Sequence, residues 1–166
     1  RANPGNHPEL FLEEGNVDPS YKKEMHEMLH KHFIKATGLV NGRHANRAVV
    51  EKLFRVLKGR PLRVIETGTS AWGIDSTRLF DTYIRKYGGY LHSVDVRAKA
   101  GNLLIDKGGP LGNASHLHVA DSVKFLKYDM VEAIRSSFPR TERDKLTIKE
   151  LYESVDLFFL DSHDVD

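Results

Sequence analysis

The sequence predicts an α/β protein, with a mostly parallel sheet and helices on both of its faces. Three observations predict it. Short apolar runs alternate along the chain with longer stretches of helical periodicity, the pattern of successive βαβ units. The first run, Leu62 to Thr67, passes through the glycine-bearing turn Gly68-Thr-Ser-Ala-Trp-Gly73 into an amphipathic stretch. The later runs each lead into an aspartate, namely Asp95, Asp121 and Asp161.

The elements follow in order. Residues Arg1 to Pro19 carry Pro4, Gly5, Pro8, Gly15 and Pro19 and read as an extended arm. A helix is expected from about Tyr21 to Thr37, with Asp18 or Ser20 at its start and Gly38 at its end. A basic helix follows, its apolar face formed by Ala45, Val49, Val50, Leu53, Phe54 and Leu57. Arg47, Glu51, Arg55 and Lys58 are then left in solvent, and the turn Gly59-Arg60-Pro61 stops the helix. After the first strand, Leu79, Phe80, Tyr83, Ile84 and Tyr87 mark a helix closed by Gly88-Gly89. Strand two is Tyr90 to Val96. The glycines and Pro110 between Ala98 and Asn113 suggest a loop with a short helix around Leu103 to Asp106. Strand three is Ser115 to Ala120, followed by a helix from about Ser122 to Arg135. A polar loop from Ser136 to Asp144 and a short helix from Thr147 to Ser154 lead to strand four, Val155 to Leu160.

Composition narrows the class. At 166 residues, with 40% apolar and 29% charged side chains, the chain suits one soluble domain with a real core. No apolar run reaches the about 18 residues of a membrane span, so a membrane partner is not expected. The absence of Cys excludes disulfides, thiolate metal sites and cysteine nucleophiles. The chain opens at Arg1 with no secretory-type start, which leaves a trimmed N-terminus open and makes a cytoplasmic location the default expectation. Strand four is the most apolar strand, yet only Asp161 to Asp166 follow it. The expectation is therefore that further C-terminal strands, or a partner chain, cover its edge.

The chemistry centres on the first glycine turn. Gly68 and Gly73 have the spacing of a phosphate-cradling loop, but Ile74 and Asp75 stand where such a loop has lysine and a hydroxyl residue. Ser70 stands where a dinucleotide fingerprint needs its second glycine. What remains is Glu66-x-Gly68 with Gly73, then Asp95 and Val96 closing strand two, and Asp121-Ser122 closing strand three. Glycine allows close approach of backbone to ligand, and a carboxylate after the second strand suits ribose hydroxyls.

These motifs, in this order from Leu62 to Asp166, resemble the first half of a class I S-adenosylmethionine-dependent methyltransferase. Glu66-Thr-Gly-Thr-Ser70 and Phe159-Leu-Asp-Ser-His-Asp164 are similar to the macrocin-type small-molecule and sugar O-methyltransferases. The resemblance implies a Rossmann-like sheet lacking, within these residues, the C-terminal strands of the full fold. Two parts are expected: a cofactor-binding domain over 61–166, and an N-terminal arm with two helices over 1–60 whose position before the first strand suits a cap over the acceptor site. It also implies S-adenosylmethionine as cofactor, approached by Gly68, Thr69 and Ser70, with Glu66 beneath the loop and Gly73 and Ser76 completing it. Asp95 and Val96 would hold the ribose side, and Asp121 with Ser122 would border adenine. Asp161 would face the methyl donor and acceptor, with His163 as a candidate base. In metal-dependent members an acid at the position of Asp161 contributes to a divalent cation site, so Mg²⁺ is left open, with Asp164 and Asp166 nearby.

Three rival readings compete with this one. His26-Glu27-Met-Leu-His30 matches the His-Glu-x-x-His zinc pattern, but a catalytic zinc needs a third ligand and none follows. A zinc metallopeptidase is therefore disfavoured. Between Arg43 and Arg63 seven basic residues face only Glu51, a stripe that a nucleic-acid methyltransferase would use. A solvated helix face explains it more simply, so the expected acceptor is a small molecule rather than nucleic acid. A cofactor-binding module without catalysis is the third, and a homo-oligomer is left open.

Overall fold

Two helices lead into a βαβ succession in the computed structural model, which describes residues 17–37, 45–69 and 75–160. They are α1 (Pro19–Thr37) and α2 (Ala45–Leu57), followed by β1 (Leu62–Thr67), α3 (Ser76–Tyr87), β2 (Gly89–Asp95), α4 (Ala98–Gly108) and β3 (Ser115–Val119). The chain continues through α5 (Ser122–Lys124), a π-helical turn (Phe125–Asp129), α6 (Met130–Ser136), α7 (Arg140–Arg143), α8 (Ile148–Glu153) and β4 (Leu157–Leu160). The strands lie in the order β3-β2-β1-β4, and every pairing is parallel. This is an α/β, Rossmann-like sheet. β1 leads to β2 on one side, while the return to β4 falls on the other, which makes the β1/β4 boundary the switch point of the topology.

The alternation of side chains along each strand sorts the helices onto two faces. Leu62 and Val64 of β1 and Leu91 of β2 are buried with Tyr21, Met25, Leu29 and Phe33 of α1, Val50, Phe54 and Leu57 of α2, and Leu79, Phe80 and Tyr83 of α3. Leu104 of α4 packs on the same face of β3 through Leu117. Ile65, Tyr90 and Val94 point the opposite way and meet Phe125, Met130, Ile134 and Leu151. The helices α1 and α2 therefore share one continuous core with the sheet.

Local chemistry sets the element ends. Asp18 accepts the Ser20 N–H at 2.7 Å at the head of α1, and Thr147 with Glu150 forms a reciprocal capping box on α8. At the start of β2, Gly89 has φ 110°, and a Cβ there would lie 1.9 Å from the Leu62 carbonyl oxygen, so only glycine fits.

Several details differ from the sequence reading. Val49 is 63% exposed, although the sequence pattern puts it on the buried face of α2. At about 100° per residue, Val50, Phe54 and Leu57 form a narrow stripe and Val49 falls a full step outside it. Arg47 and Glu51 are half-buried rather than solvated: the Arg47 guanidinium lies 5.9 Å from the Phe33 ring centre, and Glu51 pairs with Arg55 at 2.7 Å. The expected loop at 98–113 is mostly helix, because Ala100 and Leu104 are buried one turn apart and Gly101 gives Leu117 room. The single helix expected over 122–135 contains a π turn, and the loop expected at 136–144 contains the one-turn α7. The π turn has a packing cause. Phe125 and Met130 are five residues apart and both buried, and the bond from Met130 N–H to the Phe125 carbonyl brings them to one face. Among the described residues no helix is long and apolar enough to cross a membrane.

Candidate functional site

The rim at the C-terminal ends of β1, β2 and β3 gathers most of the residues singled out by sequence. β1 ends at Thr67, and Gly68 turns away with φ 82°, a conformation that favours glycine. Its N–H donates to the Val94 carbonyl at 2.7 Å, which locks the turn against the end of β2. Thr69 is buried, its hydroxyl 3.0 Å from that of Ser93.

Glu66 is completely buried beneath this turn. Its carboxylate accepts hydroxyl hydrogen bonds from Ser76 at 2.7 Å, Thr77 at 2.6 Å and Ser93 at 2.6 Å. The sequence reading places Glu66 beneath the ligand loop and Ser76 within it. These hydrogen bonds tie the head of α3 to β1 and β2. Asp75 caps α3 by accepting the Arg78 N–H at 3.0 Å.

Asp95, 6% exposed, stands at the end of β2. Burial alone would raise its pKa, but the Arg97 guanidinium and the N–H groups of Arg97 and Thr69 hold it below the ordinary carboxylate value. The Arg97 fork reaches both carboxylate oxygens, Nε to Oδ1 and Nη2 to Oδ2, each at 3.0 Å. Val96 beside it is 70% exposed. At the next strand end, the Ala120 N–H donates to the Asp95 carbonyl at 3.1 Å, and Asp121 follows at the surface. Asp121 caps α5 through Oδ1, which accepts the Lys124 N–H at 2.9 Å, and Ser122 is the first residue of that helix. Val119 and Val123 flank this rim, 64% and 71% exposed.

The structure thus brings Glu66, Gly68, Thr69, Ser76, Asp95, Val96, Asp121 and Ser122 to one end of the sheet. Ser70, Gly73, Asp161, His163, Asp164 and Asp166 lie outside the described residues. Sequence reasoning missed Thr77 and Ser93 as partners of Glu66, and Arg97 as partner of Asp95. Ser93 sits opposite Glu66 in the β1/β2 register, and the Asp95-x-Arg97 spacing is a local turn; both signals are visible once strands are paired.

The zinc-like pattern lies on α1, where the His26 and His30 rings stack at 5.8 Å with both side chains exposed. Among the described residues no group of three or more His, Cys, Asp or Glu side chains is placed to hold a metal ion. The basic stripe is largely engaged within the fold. Beyond Arg47 and Arg55, Arg60 donates to the Leu57 and Val56 carbonyls, and the Arg63 guanidinium lies 5.8 Å from the Phe138 ring centre.

By fold and rim, the chain is an α/β protein with a doubly wound parallel sheet and a glycine turn facing an acid-bearing strand end. Beyond that class, no family model, no curated protein and no solved structure matches the chain.

Proposed function

We propose that the chain binds S-adenosylmethionine and transfers its methyl group to an oxygen of a small molecule or sugar. The observation that carries the reading is Asp95, a buried carboxylate at the end of β2, beside a glycine turn at positive φ that is bonded to the same strand end. Three further features support it. In open α/β sheets, ligands bind outside the carboxyl ends of the strands, near the switch point, where this turn lies. Val96, Val119 and Val123 expose an apolar surface between Asp95 and Asp121, which suits a flat heteroaromatic ring flanked by acceptors. The engagement of Arg47, Arg55, Arg60 and Arg63 within the fold favours a small acceptor over nucleic acid.

The cofactor, when bound, supplies a methyl group activated on a sulfonium sulfur. The chain's residues then have tasks of binding and alignment. Asp95 accepts hydrogen bonds from the ribose hydroxyls, and the bend at Gly68 lets the backbone come close to the methionine portion. Asp121 keeps Oδ2 for an amino group while Oδ1 caps α5. Transfer forms a C–O bond as the S–CH₃ electron pair returns to sulfur, and one proton leaves the acceptor oxygen. Asp161 and His163 are expected beside that oxygen, with Mg²⁺ as an option at Asp161. Both lie outside the described residues.

Calorimetric titration of S-adenosylhomocysteine tests the reading. Saturable binding to the wild-type chain, weakened at least about tenfold by Asp95→Ala, is the expected outcome for loss of a hydrogen-bonded carboxylate. Absence of binding by protein with a cooperative thermal transition would overturn it.

A further inference from the structure

We propose that Arg97 is a latch on Asp95: its guanidinium fills the carboxylate positions that a ribose diol needs, so a nucleoside enters only as Arg97 swings out. The inference rests on the nucleoside-binding reading above and adds a residue that sets affinity at that site.

The argument is one of hydrogen-bonding capacity. An ionised carboxylate offers about four acceptor positions. Asp95 already receives three donors from Arg97: the backbone N–H at 2.7 Å, and the Nε and Nη2 groups at 3.0 Å each. The backbone donor belongs to the turn after the strand end, and it stays. The two guanidinium donors are the exchangeable ones, and a vicinal diol brings two hydroxyls to replace them.

Exposure indicates which partner moves. The Asp95 side chain is 5% exposed and set at the end of a central strand, whereas that of Arg97 is 46% exposed on a flexible stem. Arg97 is also the residue heading α4, with φ −100° and ψ 110°, and its side chain makes no capping bond to that helix. Releasing the guanidinium therefore leaves the backbone of β2 and α4 in place. In the closed arrangement the fork covers a buried carboxylate that would otherwise keep only its backbone donor, which holds Asp95 ionised and oriented before ligand arrives.

Neutral ligands test the latch without long-range charge effects. Adenosine, which carries the diol, and 2′,3′-dideoxyadenosine, which lacks it, are titrated into the wild-type chain and Arg97→Ala. Removing the latch is expected to tighten adenosine about 2- to 10-fold, the range for a partly exposed bidentate pair, and to leave the dideoxy compound unchanged. Equal tightening of both compounds, no change, or weaker adenosine binding would each overturn the proposal. A readout without ligand accompanies it: the ¹³C resonance of the Asp95 carboxyl should titrate at higher pH in Arg97→Ala than in wild type. An unchanged midpoint would show that the fork does not hold Asp95. S-adenosylhomocysteine is titrated in parallel. If it binds and Arg97→Ala has no effect on adenosine, only the latch fails; if no nucleoside binds either folded protein, the cofactor reading fails and the latch with it.

Discussion

His92 shows how one residue can make the fold sensitive to acid. It is 1% exposed on β2, with Nδ1 2.9 Å from His118 Nε2 and Nε2 2.8 Å from the Ser137 hydroxyl. The His116 ring stacks on it at 5.0 Å, and Asp129 acts on His118 from the π turn. Burial first, and then the neighbouring His118 and His116, push the His92 pKa down to about 3; burial and His116 also lower that of His118. Both imidazoles are thus neutral in the fold at a pH where the unfolded chain takes up protons. For His92 the stability is complete above the unfolded value near 6.5 and is lost as pH falls from there toward about 3, and His118 acts in the same direction. Each histidine removes at most about 1.4 kcal/mol per pH unit in that window. Urea unfolding between pH 7 and 5, above the range of ordinary carboxylates, should show stability falling with pH, and His92→Gln should flatten the slope. A wild-type slope of zero there would contradict the assignment.

At the scale of elements, α4 owes its end to a side chain from another helix. Arg78 of α3 donates through Nη2 to the Leu104 carbonyl at 2.8 Å and to the Gly109 carbonyl at 2.7 Å. Gly109 lies just past the last turn, where carbonyls have no partner within the helix, and a cation there also complements the helix dipole. Gly108 belongs to the same arrangement, since a Cβ there would lie 2.9 Å from the Arg78 guanidinium. Arg78→Met should destabilise the protein by about 1.5–3 kcal/mol, the range for hydrogen bonds to a charged donor. Amide exchange should quicken in 104–109 while Leu62 to Thr67 stays protected. Uniform quickening would mean that Arg78 supports the whole sheet instead. This tertiary cap explains why a glycine-rich stretch that reads as a loop is helical.

For the whole molecule, the unequal cover of the two sheet faces is the main feature. Four helices cover one face, whereas on the other Phe158 and Leu160 of β4 are 44% and 66% exposed. Among the described residues β4 pairs only with β1, so an apolar strand presents an open edge. The 166-residue chain should self-associate as its concentration rises, and Leu160→Lys should reduce this in sedimentation velocity with little change in melting temperature. A wild-type chain that stays monomeric at high concentration would contradict the expectation. The opposite face also bears on engineering. Tyr21, Phe33 and Phe54 share a buried cluster with Leu62 and Val64, so removing α1 and α2 would uncover the sheet as well as any acceptor cap.

Much of this architecture was legible in the chain itself. Apolar runs, glycine turns and helical spacing marked four strands and the principal helices, because burial on a pleat or a helix face leaves a period in sequence. The same logic placed Gly68, Asp95 and Asp121 at strand ends. What tertiary structure alone decided is who meets whom. The order β3-β2-β1-β4 set Ser93 beside Glu66, the fold of α3 onto α4 gave Arg78 its carbonyls, and packing against the sheet inserted the π turn after Lys124. The Arg97 fork over Asp95 is the local exception, a contact between residues two apart that the Asp-x-Arg spacing already permits. Periodicity records how much of a side chain is buried; partners in hydrogen bonds are set by contacts between distant segments, and no local pattern encodes those.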